Sequence, residues 1–435
     1  MRCWPLALVC GVASCGWIAG LPSYGESNDA AHDATRDVAV DAAPACSRGI
    51  GGSGCARSLT AGVGATCAIG SDALYCWGQM LPTDGGGANV ATAYTIGSPP
   101  SSVQLSSTND GTNTIGTGCY QADEALWCWG NNYYDQVQQE TPVVDMPVMV
   151  QPAGVGSYAV GGDHVCVVAA GDATIQCWGR SDLTELDEDV SLEAACAGGP
   201  PVCEPTPVAA ANATTDRIIV AGRAHTCVSP NVELSQATSC WGDNTLGQLG
   251  NPATAGESSE AVPVDQGSVS LGSATSLALG ATHSCAIVDG NTYCWGANDS
   301  GQLGNGNTME VSTAALTASQ QGLQTIAAGT ATTCGVNAAG EVWCWGANAR
   351  GQAGQPPDPT DMLTDVRVPA QVLGISNARA IAVGDTHACA ELDDGDILCW
   401  GDNQSGELGD GSATHGHSEC GAGDCSWLPV TVKKQ

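Results

Sequence analysis

Four times in this chain a histidine stands two residues before a cysteine: His164 before Cys166, His225 before Cys227, His283 before Cys285 and His387 before Cys389. Imidazole and thiolate so close together could hold a metal or pair a nucleophile with its base. A structural zinc site, however, wants four converging ligands, and His-x-Cys with one distant cysteine supplies three. Three further copies of the phrase carry Ala65, Thr117 and Thr332 where the histidine would stand. A packed, hydrogen-bonded structural role fits the histidines better than ligation.

The cysteines number 23. Cys3, Cys10 and Cys15 lie at the start of the chain, and the other twenty fall into ten local couples: Cys46 with Cys55, Cys67 with Cys76, Cys119 with Cys128, Cys166 with Cys177, Cys196 with Cys203, Cys227 with Cys240, Cys285 with Cys294, Cys334 with Cys344, Cys389 with Cys399, and Cys420 with Cys425. Spacing alone does not fix connectivity, but a couple recurring inside every repeat is most simply a bond within that repeat. Disulfides in turn imply an oxidising compartment.

What positions these couples is a repeat. Cys-Trp-Gly occurs at Cys76, Cys128, Cys177, Cys240, Cys294, Cys344 and Cys399, in steps of 49 to 63 residues, a period expected of a solenoid or propeller. Gly62, Gly161, Gly222, Gly280, Gly329 and Gly384 each stand five residues before the first cysteine of a couple; the second repeat has Thr114 there, with Gly116 and Gly118 nearby. In the fifth copy, Ser276 to Leu279, His283 to Val288 and Thr292 to Trp295 read as strands around an Asp289-Gly290-Asn291 turn. A fourth strand is expected before each phrase, at Pro147, Pro207, Pro263 and Pro369. Residues 58–432 are therefore expected to form an all-β, seven-bladed propeller of four-stranded blades. Trp77, Trp129, Trp178, Trp241, Trp295, Trp345 and Trp400 would pack blade on blade in a chain without phenylalanine. Because Pro429 to Val432 resembles an opening strand with no repeat after it, the expectation is that this C-terminal strand completes the first blade and closes the ring.

The start of the chain has a different character. Met1-Arg2, the apolar Trp4 to Val12 and the sequence Val12-Ala13-Ser14-Cys15 read as a signal peptide over 1–15 ending in a lipobox, with Cys15 the lipidated residue and a lipid anchor to the membrane. The apolar run is too short to span a bilayer as a helix. Residues 16–57, rich in Ala and Asp and containing the Cys46/Cys55 loop, read as an acidic tether. Asp and Glu outnumber Lys and Arg by 45 to 12, a formal charge of −33, which disfavours nucleic acid as a partner.

The combination of His-x-Cys-Ala, Cys-Trp-Gly-x-Asn and Gly-Gln-Leu-Gly, seen at Gly247–Gly250 and Gly301–Gly304 and slightly altered at Gly351–Gly354 and Gly406–Gly409, resembles the regulator of chromosome condensation repeat. That family forms seven-bladed propellers. The resemblance covers residues 58–432, is most specific in the last four repeats, and lacks the Gly-Gln-Leu-Gly element in repeats one and three. The cysteine couples look like the exported bacterial branch of the family. Relatives include nucleotide exchange factors for small GTPases, chromatin binders and exported proteins that bind other proteins; an acidic exported chain would not meet a cytosolic GTPase.

No GxSxG, HExxH or phosphate-cradling GxxxxGK[ST] motif is present, and no carboxylate pair stands out from a solvated surface run, so no catalytic residue is assigned and an enzyme is not expected. The loop Asp402-Asn403-Gln404-Ser405-Gly406 is rich in oxygen ligands as calcium loops are, without their spacing, and reads as turn chemistry. His415 and His417 read as solvated loop residues; Asn212 and Asn298 match glycosylation acceptors. Length variation concentrates in Arg180 to Pro205 and Asp402 to Trp427, each with its own cysteine couple. The functional expectation is a cell-envelope scaffold, an outer-membrane lipoprotein or a secreted protein, whose variable loop face binds a protein. The alternative is a lyase or hydrolase of extracellular polymers with its centre in the axial cleft.

Overall fold

The computed structural model describes residues 58–70, 73–79, 88–94, 98–106, 116–171, 174–180, 194–196, 199–209, 217–230, 237–267, 269–357, 364–415 and 423–434. Among them every regular element is a strand, and the strands form seven antiparallel sheets, each built from one contiguous stretch of chain. The first blade holds Leu59–Ala61, Ala65–Ile69, Leu74–Gly78 and Ala88–Tyr94; the second Ser102–Leu105, Thr117–Ala122, Ala125–Asn131 and Val143–Gln151. The third holds Val155–Val160, His164–Ala169, Ile175–Arg180 and Gly199–Ala209, with Ala194–Cys196 added outside. Then come Arg217–Ala221, His225–Pro230, Ser239–Asn244 and Gly256–Pro263 in the fourth, and Ser276–Leu279, His283–Val288, Asn291–Gly296 and Val311–Leu316 in the fifth. The sixth holds Leu323–Ala328, Thr332–Asn337, Val342–Gly346 and Val366–Gln371, and the seventh Ala378–Val383, His387–Leu392, Ile397–Asp402 and Cys425–Thr431. The first strand of every blade lines a common axial channel, so the fourth lies at the rim. The fold is a seven-bladed β-propeller.

The strands are those expected, but their grouping is shifted by one. Each proline-bearing strand ends its blade instead of opening the next: Val143–Gln151, Gly256–Pro263 and Val366–Gln371 pair with the Cys-Trp-Gly strand before them. The physical reason is that proline has no N–H to give a ladder, and an outermost strand needs none on its outer edge. The expected closure is therefore overturned. Cys425–Thr431 pairs within the seventh blade, Cys399 opposite Val430 and Gly401 opposite Ser426, while the first blade already owns Ala88–Tyr94. Blades seven and one meet by packing and hydrogen bonds, including Asp385 N–H to the Gly62 carbonyl at 3.3 Å and Ala91 N–H to Lys433 at 2.9 Å.

Every Cys-Trp-Gly strand carries a β-bulge between its cysteine and its glycine, on the side facing the fourth strand. The glycine makes it possible: Gly242, Gly296 and Gly346, for example, have φ of 101°, 99° and 103°, where a side chain is strained. The bulge takes the tryptophan out of the ladder to the fourth strand while it stays in register with the second, and the indole bonds to the neighbouring blade. All seven tryptophans are buried, the most accessible being Trp129 at 4%.

Between the second and third strands of each blade, the cysteines of each couple are direct register partners. The seven couples within blades, from Cys67–Cys76 to Cys389–Cys399, are disulfide-bonded across neighbouring strands with Cα atoms 4.1 Å apart. Cys425 is also in a disulfide, but its expected partner Cys420 lies outside the described residues, as do Cys15, Cys46, Cys55 and His417. Cys196 and Cys203 sit on the two adjoining outer strands of the third blade.

Candidate functional site

The four histidines of the repeat are fully buried, and among the described residues no three potential metal ligands gather. Each reaches instead into the next blade. Nε2 of His164, His225, His283 and His387 lies 2.6, 2.9, 2.9 and 2.6 Å from the hydroxyls of Thr226, Ser284, Thr333 and Thr66. Ser284 spends its own proton on the Gln248 carbonyl at 2.9 Å, so His225 must donate from Nε2. The Nδ1 atoms of His225, His283 and His387 are buried without a partner, so a second ring proton would have no acceptor. Burial accordingly holds His164, His283 and His387 neutral, with pKa lowered to about 4, and His225 to about 3, the other histidines and Arg223 adding repulsion there.

The pairing was legible in the sequence and was missed. Where the histidine is absent, at Ala65, Thr117 and Thr332, the residue it would meet in the next blade is Gly118, Val165 or Ala388, none bearing a hydroxyl. Thr117 and Thr332 turn their hydroxyls to backbone carbonyls of Asn131 and Ala347 instead. The recurring glycine has a matching reason: a Cβ at Gly222 or Gly280 would stand 2.5 or 2.4 Å from the next blade's glycine carbonyl, and closer still to its own histidine ring.

The second network lies in the turn after Cys-Trp-Gly. In Asp243-Asn244-Thr245-Leu246-Gly247-Gln248-Leu249-Gly250, Asn244 Oδ1 accepts the Leu249 N–H and Gln248 Oε1 accepts the Leu246 N–H, both at 2.9 Å. The Gln248 carbonyl then receives the indole N–H of Trp295 from the next blade at 2.8 Å. The same three bonds recur around Asn298 and Gln302, Asn348 and Gln352, and Asn132 and Gln136. In the seventh blade Glu407 takes the glutamine's place: its carboxylate accepts the Ser405 N–H at 2.8 Å and its carbonyl accepts Trp77. Burial, with Asp402 nearby, lifts that carboxyl to about 7 against the hydrogen bonds from Ser405.

The Asp402 loop therefore acts as a turn. Asp402 binds Arg350 of the sixth blade at 2.5 Å. His415, expected in a solvated loop, is instead 8% exposed, with Nδ1 2.7 Å from Asp424 and Nε2 3.2 Å from Asp410. Burial opposes ionisation of Asp424, but hydrogen bonds from Asn403 and His415 hold it below the usual carboxylate range.

The axial channel is a cavity of about 350 Å³ lined by the seven inner strands, whose residues there are Leu, Ile, Val and Ala apart from Thr60 and Gln104. Its two polar lining residues are occupied: Thr60 accepts the Leu105 N–H at 3.0 Å, and Gln104 bridges to Tyr158 O at 2.9 Å and Val160 N at 3.2 Å. No acid–base pair stands among the described lining residues. In an antiparallel four-strand meander the connections 1–2 and 3–4 emerge on one face, so the Gly-x-x-His turns, the Gln-bearing turns and the variable segments all share it.

Comparison with known proteins bears on this architecture. Residues 240–287, 289–336 and 339–390 match the "Regulator of chromosome condensation (RCC1) repeat", and a second description of the same repeat matches 324–352 and 378–407. The E3 ubiquitin-protein ligase HERC2 of Homo sapiens is 26% identical over 263 residues, 58% of this chain and 5% of that protein. The ultraviolet-B receptor UVR8 of Arabidopsis thaliana is 32% identical over 141 residues, 31% of this chain and 30% of the receptor. The chain thus spans under a third of these relatives' lengths. Among solved structures, human WBSCR16 superposes with a TM-score of 0.64 at 17% identity, covering 79% of this chain and 85% of that one. Prp20p of Saccharomyces cerevisiae, a structure whose description includes binding to Gsp1p and histones, gives 0.55 at 17% identity, covering 73% and 75%. The blades built from residues 240–407, with their repeated turns and inter-blade bonds, are thus regulator of chromosome condensation (RCC1) repeats.

Proposed function

We propose that this propeller is an exported, lipid-anchored cell-envelope protein that binds another protein through the face carrying its 1–2 and 3–4 connections. The observation that carries the reading is where the chain departs from its repeat. The segments after Arg180 and Asp402 leave that face, and the first of them adds the strand Ala194–Cys196 to the rim of its blade. A rigid ring that presents loops of unequal length on one side is suited to recognition. Seven disulfides support an oxidising compartment, and the relatives whose descriptions name binding partners support a binding role. Lipidation at Cys15 would supply the anchor.

The test uses the tagged full chain cross-linked in its native cells. Replacing residues 181–198 by Gly-Ser-Gly-Ser with Cys203→Ser leaves the rest of Gly199–Ala209 to pair with Ile175–Arg180. That variant should keep the wild-type melting temperature and lose the cross-linked partner, and Cys15→Ser should release the protein from the membrane pellet. Undiminished capture by the loop variant would refute the face assignment.

A further inference from the structure

In the seventh blade the strands Ile397–Asp402 and Cys425–Thr431 are joined by one of the two segments whose length departs from the repeat, and a single imidazole ties the described ends of that segment together. Nδ1 of His415 lies 2.7 Å from Oδ2 of Asp424, and its Nε2 lies 3.2 Å from Oδ2 of Asp410. The backbone N–H of His415 donates to the other oxygen of Asp424 at 2.6 Å, and Asp410 accepts the Ser412 N–H at 2.9 Å. Both acids are anchored from outside the segment. Asp424 accepts the Asn403 side-chain amide at 2.7 Å on its carboxylate and the Asn403 N–H at 2.9 Å on its carbonyl, and Asp410 forms a backbone bridge with Val90 of the first blade. The contacts above involve none of residues 416–422, which lie outside the described residues.

Two carboxylates on one imidazole fix how many protons the cluster holds. A neutral ring has one N–H, and the bond to Asp424 takes it: that carboxyl, against its burial, is held below the usual range by hydrogen bonds from Asn403 and His415, so it has no proton to give. The Nε2 lone pair of such a ring would face the Asp410 carboxylate with nothing between them. The 3.2 Å contact therefore needs a second proton, which the imidazolium form supplies. The ring and both carboxylates are largely shielded from solvent, so the attraction is weakly screened. The other charged groups on the surrounding elements are Arg350, with Nη2 3.4 Å from the Asp424 carbonyl and its ion pair to Asp402, then Glu407 on the Ser405 N–H, and Lys433, whose stem passes Gly411. The repeat's own histidines, each with one hydroxyl partner on Nε2, have no such arrangement. We propose that His415 is a proton-operated clamp on the loop face: doubly protonated, it joins Asp410 to Asp424 and fixes Gly411 to Thr414 between them; on giving up one proton it releases Asp410 and frees that stretch.

The clamp is a property of the chain alone, so its test needs no partner. NMR of the purified, isotope-labelled full chain between about pH 5 and 8 follows the His415 ring nitrogens and the solvent exchange of the Ser412 amide together. After division by the intrinsic exchange rate, Ser412 protection should fall at least about tenfold, the loss of one hydrogen bond to a charged group, and should do so along the titration curve of the His415 ring. His415→Gln should show the low protection at every pH. Asp410→Asn separates a clamp from a passive contact: its amide N–H can donate to a neutral Nε2 while its oxygen still accepts Ser412, so protection should persist at the alkaline end. Wild-type protection that stays constant while the ring titrates, His415→Gln as protected as wild type, or Asp410→Asn losing protection as wild type does would each overturn the proposal; unchanged amide spectra outside the segment confirm that folded protein is compared.

Discussion

At the scale of single residues, two kinds of buried proton site pull stability in opposite directions with pH. The four inter-blade histidines have folded pKa values of about 3 to 4, below the ordinary 6.5, so the unfolded chain binds their protons first. Their contribution is complete above about pH 6.5 and is lost as the pH falls toward 4. Glu407 behaves in the reverse sense. Its folded value of about 7 lies above the ordinary 4.5, so the folded state holds the proton more tightly, and stability is lost as the pH rises from 4.5 to 7. The loss above pH 7 is on the order of 3 kcal/mol. Glu407→Gln restores the residue found at Gln136, Gln248, Gln302 and Gln352 and should remove it. Denaturant melts of the two proteins should coincide near pH 4.5, and the variant should become progressively more stable up to pH 7.5. A difference that does not change with pH would disprove the assignment.

At the scale of the element, the Gln-bearing turn explains both what the sequence made plain and what it concealed. Glycine marks its two left-handed positions in the later blades, as at Gly301 and Gly304 with φ of 76° and 64°. The second blade makes the same turn with Asp135 and Gln138, at φ of 59° and 56°, so a search for glycine passes it by. The asparagine and glutamine hydrogen bonds, not the glycines, define the turn, and Asn132 and Gln136 keep both. Gln138 accepts strain that glycine would not, and a Cβ at the equivalent Gly304 would lie 2.9 Å from the Trp345 ring. Gln138→Gly should therefore stabilise the protein by about 0.5–1 kcal/mol, and Gly304→Ala should destabilise it by at least as much, both read from urea midpoints. The inner strand of the second blade was concealed for a related reason. Ser106 there makes the bond to Thr117 that Gly62, Gly161 and Gly222 make to their own second strands, but residues 107–115 are interposed, so counting back five from Cys119 reaches Thr114. Strand content survives such insertions because alternation is local; spacing does not. Glu407 was concealed because it is ordinary in composition and becomes unusual only through what surrounds it.

At the scale of the whole molecule, the seam that closes the ring uses the same kinds of contact as the seams inside it. Blades seven and one share the His387–Thr66 pair, the Trp77 indole on the Glu407 carbonyl and the Asp385 bond to Gly62, much as blades four and five share His225–Ser284 and the Trp295 indole on the Gln248 carbonyl. The disulfides described staple hairpins within blades and cross no seam, each closing a short loop and contributing about 2 to 3 kcal/mol. Holding the ring shut thus falls to the inner strands and the buried networks, while the C-terminal strand finishes the rim of one blade. That division predicts the effect of ending the chain at Gly411. Hydrogen exchange should accelerate in Ile397–Asp402, whose partners Val430 and Ser426 are gone, while Leu59–Ala61 and Ala65–Ile69 keep their protection, because their ladder and the His387 contact remain. Were the last strand the closure of the first blade, the opposite pattern would appear: exchange would rise along Leu59–Ala61 and Ile397–Asp402 would stay protected. Loss of protection in the first blade's inner hairpin ahead of the seventh would thus show that the seam depends on the terminal strand after all.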